Sequence, residues 1–128
     1  VYMGPGEQRL VDPKAPGSHH QVSLADYEKN LTQIVAQLKA TGAKVIWCNT
    51  TPVPEGTKGR VADESILFNE VAAKVMTAAA VPTNDLHAHA KAKLSEVQLP
   101  ANVHFSPEGS KYLAEKVAAE IEKALAKK

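Results

Sequence analysis

The chain has 128 residues, of which 44% are hydrophobic and 23% charged, and its formal net charge at pH 7 is +1. This length and composition are typical of one compact soluble domain, which we place at 1–128. The 15 basic and 14 acidic residues are scattered along the chain, and aromatic residues make up only 5%, which argues against a nucleic-acid partner. No apolar run approaches the roughly 20 residues of a membrane span, so we expect no membrane partner.

The first predicted helix follows a long loop. Residues 4–22 hold three prolines and three glycines, which favour an irregular segment. Ser23 is a suitable N-cap, Asp26 stands at the capping-box position, and Gly42 is a suitable stop. Between them, apolar residues recur at spacings of three and four, which predicts a helix with one packed face. These residues are Leu24, Tyr27, Leu31, Ile34, Val35 and Leu38.

A strand and a second helix come next. The run "AKVIWCN" at residues 43–49 predicts a strand buried on both faces, with Cys48 as a small buried apolar residue rather than a reactive thiol. Residues 50–60 are rich in proline and glycine and are predicted to be a loop. A helix is then predicted from about Asp63 to Ala80. Its expected buried residues are Ile66, Leu67, Val71, Val75 and Met76.

The C-terminal part predicts a further strand and two helices. A brief strand is predicted at residues 81–83 and a short helix at 85–94. Ser106 then caps the last helix, with Pro107 at its first position. The apolar stripe of that helix consists of Tyr112, Leu113, Val117, Ile121 and Leu125. The alternation of helices and strands predicts an α/β layer structure with a parallel sheet.

Two short strands are too little sheet for three amphipathic helices, since a parallel sheet is normally covered on both faces. Residues 1–3, "VYM", are a candidate for a third strand at the edge of the sheet. Such an edge leaves backbone groups unpaired and apolar surface uncovered. We therefore expect a homodimer in which the first-strand edges of two copies meet.

The motif "NVHFSPEG" at residues 102–109, followed by an amphipathic helix, resembles the last block of the SGNH (GDSL-like) hydrolases, in which a histidine precedes the C-terminal helix. Segments 24–56 and 68–76 also resemble the helix, strand, loop and helix that come before this block in the family. The resemblance implies a flavodoxin-like, three-layer αβα unit with a short, incomplete parallel sheet. It also implies the activity of an esterase, lipase or carbohydrate deacetylase, acting on a small ester substrate.

The resemblance assigns the catalytic base to His104. In the family, the serine nucleophile and a glycine oxyanion donor precede the third strand, which implies a domain truncated on its N-terminal side. Gly6 and Gln8 fall where the family has a glycine and then an oxyanion donor. The family's orienting acid falls at Ala101, which cannot take that role, and the neighbouring Asn102 lacks the charge that stabilises an imidazolium.

Other residues are candidates for the missing roles. Ser18 and Ser65 are candidate nucleophiles because α/β sheets build their sites at the carboxyl ends of strands, but both are also open to interpretation as ordinary surface residues. Asp85, at the predicted end of the last strand, is either an alternative to Asn102 as orienting group or a helix N-cap. A further group is expected only to line the pocket: Thr50, Thr51 and Arg60.

Histidines occur close together in "HH" at 19–20 and "HAH" at 87–89. On a helix, residues two apart point to different sides, and no cluster of carboxylates or cysteines completes a ligand set. We therefore expect no functional metal site and no cofactor.

Three interpretations remain open. An ester hydrolase with His104 as base predicts a serine within reach of it, in the same chain or in a partner. A non-catalytic, self-associating remnant or fragment predicts no hydroxyl near His104 and a large apolar interface. A flavodoxin-like ligand-binding module lacks the glycine loop that cradles phosphate. We favour the hydrolase.

Overall fold

The computed structural model describes residues 1–6 and 10–126. These residues form short strands and longer helices. In chain order the elements are β1 (Tyr2–Met3), β2 (His19–His20), α1 (Leu24–Ala40), β3 (Trp47–Cys48), α2 (Ser65–Ala78), β4 (Thr83–Asn84), α3 (Leu86–Lys91), α4 (Leu94–Val97) and α5 (Pro107–Ala126). No helix in the described ranges is both long and apolar enough to cross a membrane.

Helix α1 begins and ends at its predicted caps, and α5 begins at its predicted cap. Ser23 Oγ accepts the N–H of Asp26 at 3.1 Å, at the start of α1. After α1, Gly42 adopts a φ of 79°, a left-handed conformation that favours glycine. Ser106 Oγ accepts the N–H of Gly109 at 2.9 Å, at the start of α5. Side-chain capping therefore fixes the N-termini of both helices.

Strands β3 and β4 form the parallel sheet, with Trp47 opposite Thr83 and Cys48 opposite Asn84. The α/β class and the short, incomplete parallel sheet are therefore confirmed. The expectation that β3 is buried on both faces is wrong, because residues 45–48 are only half-buried. β4 lies along one edge of β3, and within the described residues no strand covers the other edge.

The apolar core lies where α1 packs against α2 and against the strand region. Its buried members are Leu31, Val35, Ala72, Val75, Met76 and Val81, with Val45 and Trp47 packed beside them. Leu67 was expected in this core but is 48% exposed. Nine residues separate Leu67 from Met76, which at 3.6 residues per turn places them on opposite sides of α2. Ile34 and Leu38 of α1 are likewise exposed, because α2 covers only the centre of the predicted apolar face.

Strands β1 and β2 form a separate antiparallel hairpin, here called the N-terminal ribbon. Met3 also bridges Leu10, so β1 has a neighbour on each side. The expectation that residues 1–3 form an edge strand of the parallel sheet is therefore wrong. Antiparallel pairing needs only a turn of the chain, whereas parallel pairing needs a long crossover. The Tyr2 N–H donates to the Gly59 carbonyl at 2.9 Å, which attaches the ribbon to the loop after β3.

The C-terminal region places α5 against α3 and α4. The single short helix expected at residues 85–94 is two helices, because Lys93 leaves the helical region with φ −132° and ψ 30°. Along α5, the predicted apolar stripe is half-buried at first and then emerges, with Ile121 47% and Leu125 70% exposed. The C-terminal part of α5 thus lacks the cover that its apolar stripe predicts.

Candidate functional site

A cluster of polar side chains lies at the carboxyl ends of β3 and β4. Asn49 Oδ1 accepts the N–H of His87, and Asn49 Nδ2 donates to Asp85 Oδ1, both at 2.8 Å. Asp85 Oδ1 also accepts the N–H of Ala88 at 2.9 Å, so Asp85 is the N-cap of α3. The bond from Ala88 and then the bond from Asn49 hold the pKa of Asp85 below its ordinary value. Within the described residues, no hydrogen bond joins Asp85 to His104. The bond from Ala88 shows that Asp85 acts as a helix cap.

His104 is exposed and held by Asn102. Asn102 Oδ1 accepts the backbone N–H of His104 at 3.0 Å and lies 2.6 Å from His104 Nδ1. A backbone N–H only donates, so the Asn102 atom that faces it is the oxygen, and Nδ1 must donate to that oxygen. The neutral ring with Nδ1–H then carries its lone pair on Nε2. This tautomer is the one that a general base requires.

The loop at 98–105, between α4 and α5, positions His104. Its two ends pair as an antiparallel bridge. Gln98, which is 6% exposed, donates from Nε2 to the carbonyl of Asn102 at 3.1 Å and to that of Pro52 at 3.0 Å. The bond to Pro52 ties the loop to the segment that follows β3. Gln98, which the sequence analysis did not identify, therefore links the loop of His104 to this segment.

The candidate serine nucleophiles have other surroundings. The Ser18 hydroxyl donates to the Pro13 carbonyl at 2.7 Å, within the N-terminal ribbon region. Ser65 is the first residue of α2, is 7% exposed, and has a hydroxyl without a hydrogen-bond partner. Within residues 1–6 and 10–126, no serine hydroxyl forms a hydrogen bond with His104. The nucleophilic role of either serine stays a prediction.

Gly6, the first of the two candidate oxyanion donors, lies in the turn after β1. Gly6 is exposed and has a φ of 64°, and no described atom comes within 4 Å of the position that a Cβ would take there. Gln8 lies outside the described residues. The oxyanion role of both residues therefore remains a prediction.

Two of the three residues expected to line a pocket lie at a cavity next to Ser65. Thr50 and Arg60 line a cavity of about 190 Å³ at the start of α2, together with Ser65. Thr51 is half-buried and does not line this cavity.

Asn69, in the first half of α2, holds the backbone of the loop after β3. Its Oδ1 accepts the N–H of Thr50 and its Nδ2 donates to the carbonyl of the same residue, both at 2.8 Å. The sequence analysis did not identify this contact. The available signal was an asparagine inside "LFNEVA", since asparagine has a low helix propensity and its presence there suggests another role.

Glu64 joins the start of α2 to the N-terminal ribbon. Its Oε1 accepts from the Tyr2 hydroxyl at 2.8 Å and contacts His20 Nε2 at 2.9 Å. The hydrogen bond to Glu64 raises the pKa of Tyr2 above its ordinary value. These partners lie 62 and 44 residues away along the chain, so no local sequence pattern predicts the contact.

The histidines at 87 and 89 have separate environments. His89 stacks on Tyr112, with ring centroids 4.0 Å apart and an interplanar angle of 8°. His87 Nε2 is buried without a hydrogen-bond partner. Across the described part of the chain, no three His, Cys, Asp or Glu side chains converge as a metal site requires.

Comparison with known proteins identifies the fold. No family model and no curated protein matches the chain. Among solved structures, the chain shares the fold of an alpha/beta hydrolase enzyme. That structure is the crystal structure of LAE5, from the metagenome of Lake Arreo, Spain, with a TM-score of 0.64 and 16% sequence identity. The match covers 77% of this chain and 47% of that chain, so this chain spans about half the length of the hydrolase it resembles.

Proposed function

We propose that the protein is a carboxylic ester hydrolase of the SGNH type with an atypical catalytic site, in which His104 is the general base. The observation that carries the proposal is the 2.6 Å contact between His104 Nδ1 and Asn102 Oδ1. This contact selects the imidazole tautomer with a lone pair on Nε2, on an exposed side chain that a small ester can reach. The hydrolase-like fold supports the same conclusion.

The geometry favours water as the nucleophile. Ser18 is hydrogen-bonded elsewhere and Ser65 is buried, so neither hydroxyl is placed to lose its proton to His104. In the proposed reaction, His104 Nε2 takes a proton from a water molecule while the water oxygen bonds to the ester carbonyl carbon. The imidazolium then returns this proton to the leaving alkoxide as the ester C–O bond breaks, which yields an acid and an alcohol.

Asn102 is the orienting group in this proposal, and Asp85 is the cap of α3. An amide oxygen fixes the ring but carries no charge to stabilise the imidazolium, so a modest rate is expected. Gly6 and Gln8 remain the proposed donors to the oxyanion.

The test is hydrolysis of p-nitrophenyl acetate by wild type, His104→Ala, Ser18→Ala and Ser65→Ala. We expect saturable turnover in wild type and both serine variants. We expect kcat/KM to fall roughly 100-fold or more in His104→Ala, which is the usual contribution of a general base.

His19→Ala is the matched control, because any exposed imidazole cleaves this activated ester slowly. His19 is also exposed, and its Nδ1 faces a carbonyl oxygen, that of Gly17, at 3.3 Å. Equal rates for His104→Ala and His19→Ala would contradict the proposal. Loss of turnover in one serine variant as well as in His104→Ala would replace water with that serine as nucleophile.

A specific observation favours the second candidate, a non-catalytic chain that self-associates. The N–H groups of Trp47 and Asn49 donate to carbonyls of the β4 segment, at 2.9 and 3.3 Å. Because backbone groups alternate in direction along a strand, those of Ile46 and Cys48 point toward the opposite, open edge. An open edge of this kind is a template for pairing with a second copy. Since β1 belongs to the ribbon, the outer edge of β3 is available for a homodimer among the described residues.

A further inference from the structure

A small cavity lies between the start of α1, the loop after β3 and the start of α2, and it is separate from the loop that holds His104. Its volume is about 190 Å³. We call it the α2 cavity. Its polar lining residues are Thr50, Arg60, Glu64 and Ser65, and its apolar lining residues include Val53 and Phe68.

Ser65 provides the first indication of a ligand. Its side-chain oxygen is buried and has no hydrogen-bond partner, although the residue is only 7% exposed. A buried hydroxyl without a partner costs free energy, and native structures rarely leave one in place without a reason. Because Ser65 lines the α2 cavity, a ligand there can accept its hydrogen bond.

Arg60 provides the second indication, because its hydrogen-bonding capacity is largely unused. Within the described residues its guanidinium makes one hydrogen bond, from NH1 to the Lys58 carbonyl at 3.2 Å. A guanidinium has five N–H donors in a planar fork that matches a carboxylate. The Glu64 carboxylate, by contrast, is engaged by Tyr2 and His20 through Oε1. The unused hydrogen-bond donors that we consider in the cavity are therefore those of the Arg60 guanidinium and the Ser65 hydroxyl.

Most of the remaining lining residues are apolar. Val53 and Val61 line the cavity together with Tyr27 and Phe68, whose rings meet edge to face with centroids 5.2 Å apart. Such walls favour a hydrocarbon over a second polar group. Sites for drug-sized ligands have volumes of roughly 300–1,000 Å³, so this cavity fits a much smaller molecule.

We propose that the α2 cavity binds a short-chain carboxylate, with its carboxylate group on Arg60 and Ser65 and its hydrocarbon chain against the Val53, Val61 and Phe68 side chains. Binding requires no turnover, so it is independent of the role of His104. Should the proposed hydrolysis also hold, an acid of this class is among its products.

The test is titration with sodium butyrate, followed by amide NMR shifts and by calorimetry. We expect saturable binding in wild type. Arg60→Gln should weaken it at least tenfold, as expected for loss of a charged hydrogen-bonding partner. Ser65→Ala should weaken it roughly threefold while leaving the melting temperature unchanged or higher, because the variant removes a buried hydroxyl that has no partner in the protein. A merely structural serine would lower the melting temperature instead.

Lys58→Gln is the matched control, since it removes an exposed cation two residues from Arg60 and should leave butyrate affinity within twofold. 1-Butanol and inorganic phosphate separate the two parts of the ligand, and both should bind at least tenfold more weakly than butyrate. The proposal is overturned by equal binding of butyrate and butanol, by phosphate binding as tightly as butyrate, by unchanged affinity in Arg60→Gln, or by no saturable binding of butyrate.

Discussion

One amide oxygen, Asn102 Oδ1, accepts two hydrogens from His104 and so fixes both the backbone turn and the imidazole tautomer. Asn102→Asp keeps this acceptor and adds a negative charge beside the ring. We expect kcat/KM for p-nitrophenyl acetate to rise roughly tenfold, because a carboxylate stabilises the imidazolium that forms during proton transfer. Asn102→Leu, which removes the acceptor, should lower it. Equal rates in wild type, Asn102→Asp and Asn102→Leu would show that His104 does not act as a base.

Asp85 is a cap whose contribution depends on pH. The hydrogen bonds from Ala88 and Asn49 lower its pKa from the ordinary 3.8, so the charged form is favoured in the folded protein. The stabilisation is therefore present above about pH 3.8 and is lost as the pH falls through the lower, folded-state pKa. We expect Asp85→Ala to reduce the free energy of unfolding by about 1 kcal/mol at pH 7, as is typical of an N-cap. Urea denaturation at pH 7 and at pH 3 measures this difference, which should shrink at the lower pH.

Asp85→Asn separates charge from hydrogen bonding at the same cap. It keeps an oxygen acceptor for the Ala88 N–H but loses the charge, which is exposed and partly screened by solvent. We expect a smaller loss at pH 7, and this loss should also shrink toward pH 3, because its pH dependence comes from the titration of Asp85 in the wild type. A loss at pH 7 as large as that of Asp85→Ala would contradict the assignment of the acceptor role.

The two histidine environments show how far residue contacts can be read from sequence. The contact of His104 with Asn102 spans two residues, and Asn102 was considered because it is polar and lies next to Ala101, where the resemblance places the orienting acid. The contact of His20 with Glu64 spans 44 residues and depends on how the N-terminal ribbon docks. Such docking is decided by tertiary packing, which leaves no mark in the local pattern.

At the scale of elements, α5 packs closely on the end of α4 at Gly109. A Cβ on Gly109 would lie 2.0 Å from the carbonyl oxygen of Val97. At an exposed helix site, alanine is more favourable than glycine by about 1 kcal/mol, but here the clash is with backbone and reverses the sign. We expect Gly109→Ala to reduce the free energy of unfolding by roughly 1–3 kcal/mol in urea denaturation.

Ala114→Gly, at an exposed site on the same helix, gives the contrasting control and should cost about 1 kcal/mol through helix propensity alone. A more stable Gly109→Ala variant would show that α5 does not approach Val97 this closely. The loop of His104 lies between these helices, so kcat/KM should fall in Gly109→Ala and not in Ala114→Gly.

Helices were easier to predict than strands. The starts of α1 and α5 are predictable because the caps at Ser23 and Ser106 are local signals, and the apolar spacing of both helices is long enough to be distinctive. Strand β1 has two residues, which is too short for any alternation to appear, and its partner β2 begins only at His19, after residues 4–18. Its pairing was therefore predicted wrongly, whereas the pairing of β3 with β4 followed from the α2 crossover between them.

At the scale of the whole molecule, the C-terminal part of α5 carries two exposed apolar residues, Ile121 and Leu125. The residues directly before them in sequence, Glu120 and Ala124, line a cavity of about 460 Å³ between α5 and the starts of β3 and β4. We expect wild type to self-associate at micromolar concentration, and the double variant Ile121→Glu, Leu125→Glu to remain monomeric. Sedimentation velocity measures both.

Leu67→Glu is the matched control for this substitution. Leu67 is 48% exposed, close to the 47% of Ile121, but it lies on the outer side of α2. This variant should associate like wild type. A monodisperse wild-type monomer would contradict self-association and remove support for the second candidate function.

The two hydrogen bonds from the Asn69 side chain to the Thr50 backbone limit where an added strand can pair with β3. The Asn69 amide offers one acceptor and one donor to a single backbone unit, as a neighbouring strand would. Thr50 is two residues after Cys48, so the backbone groups of both residues point to the same side of β3, away from β4. The backbone groups of Thr50 are therefore already hydrogen-bonded, and an added strand can pair only with the residues before Thr50. Asn69 of α2 thus fixes one end of the open edge of β3. The register of an added strand is set relative to that end.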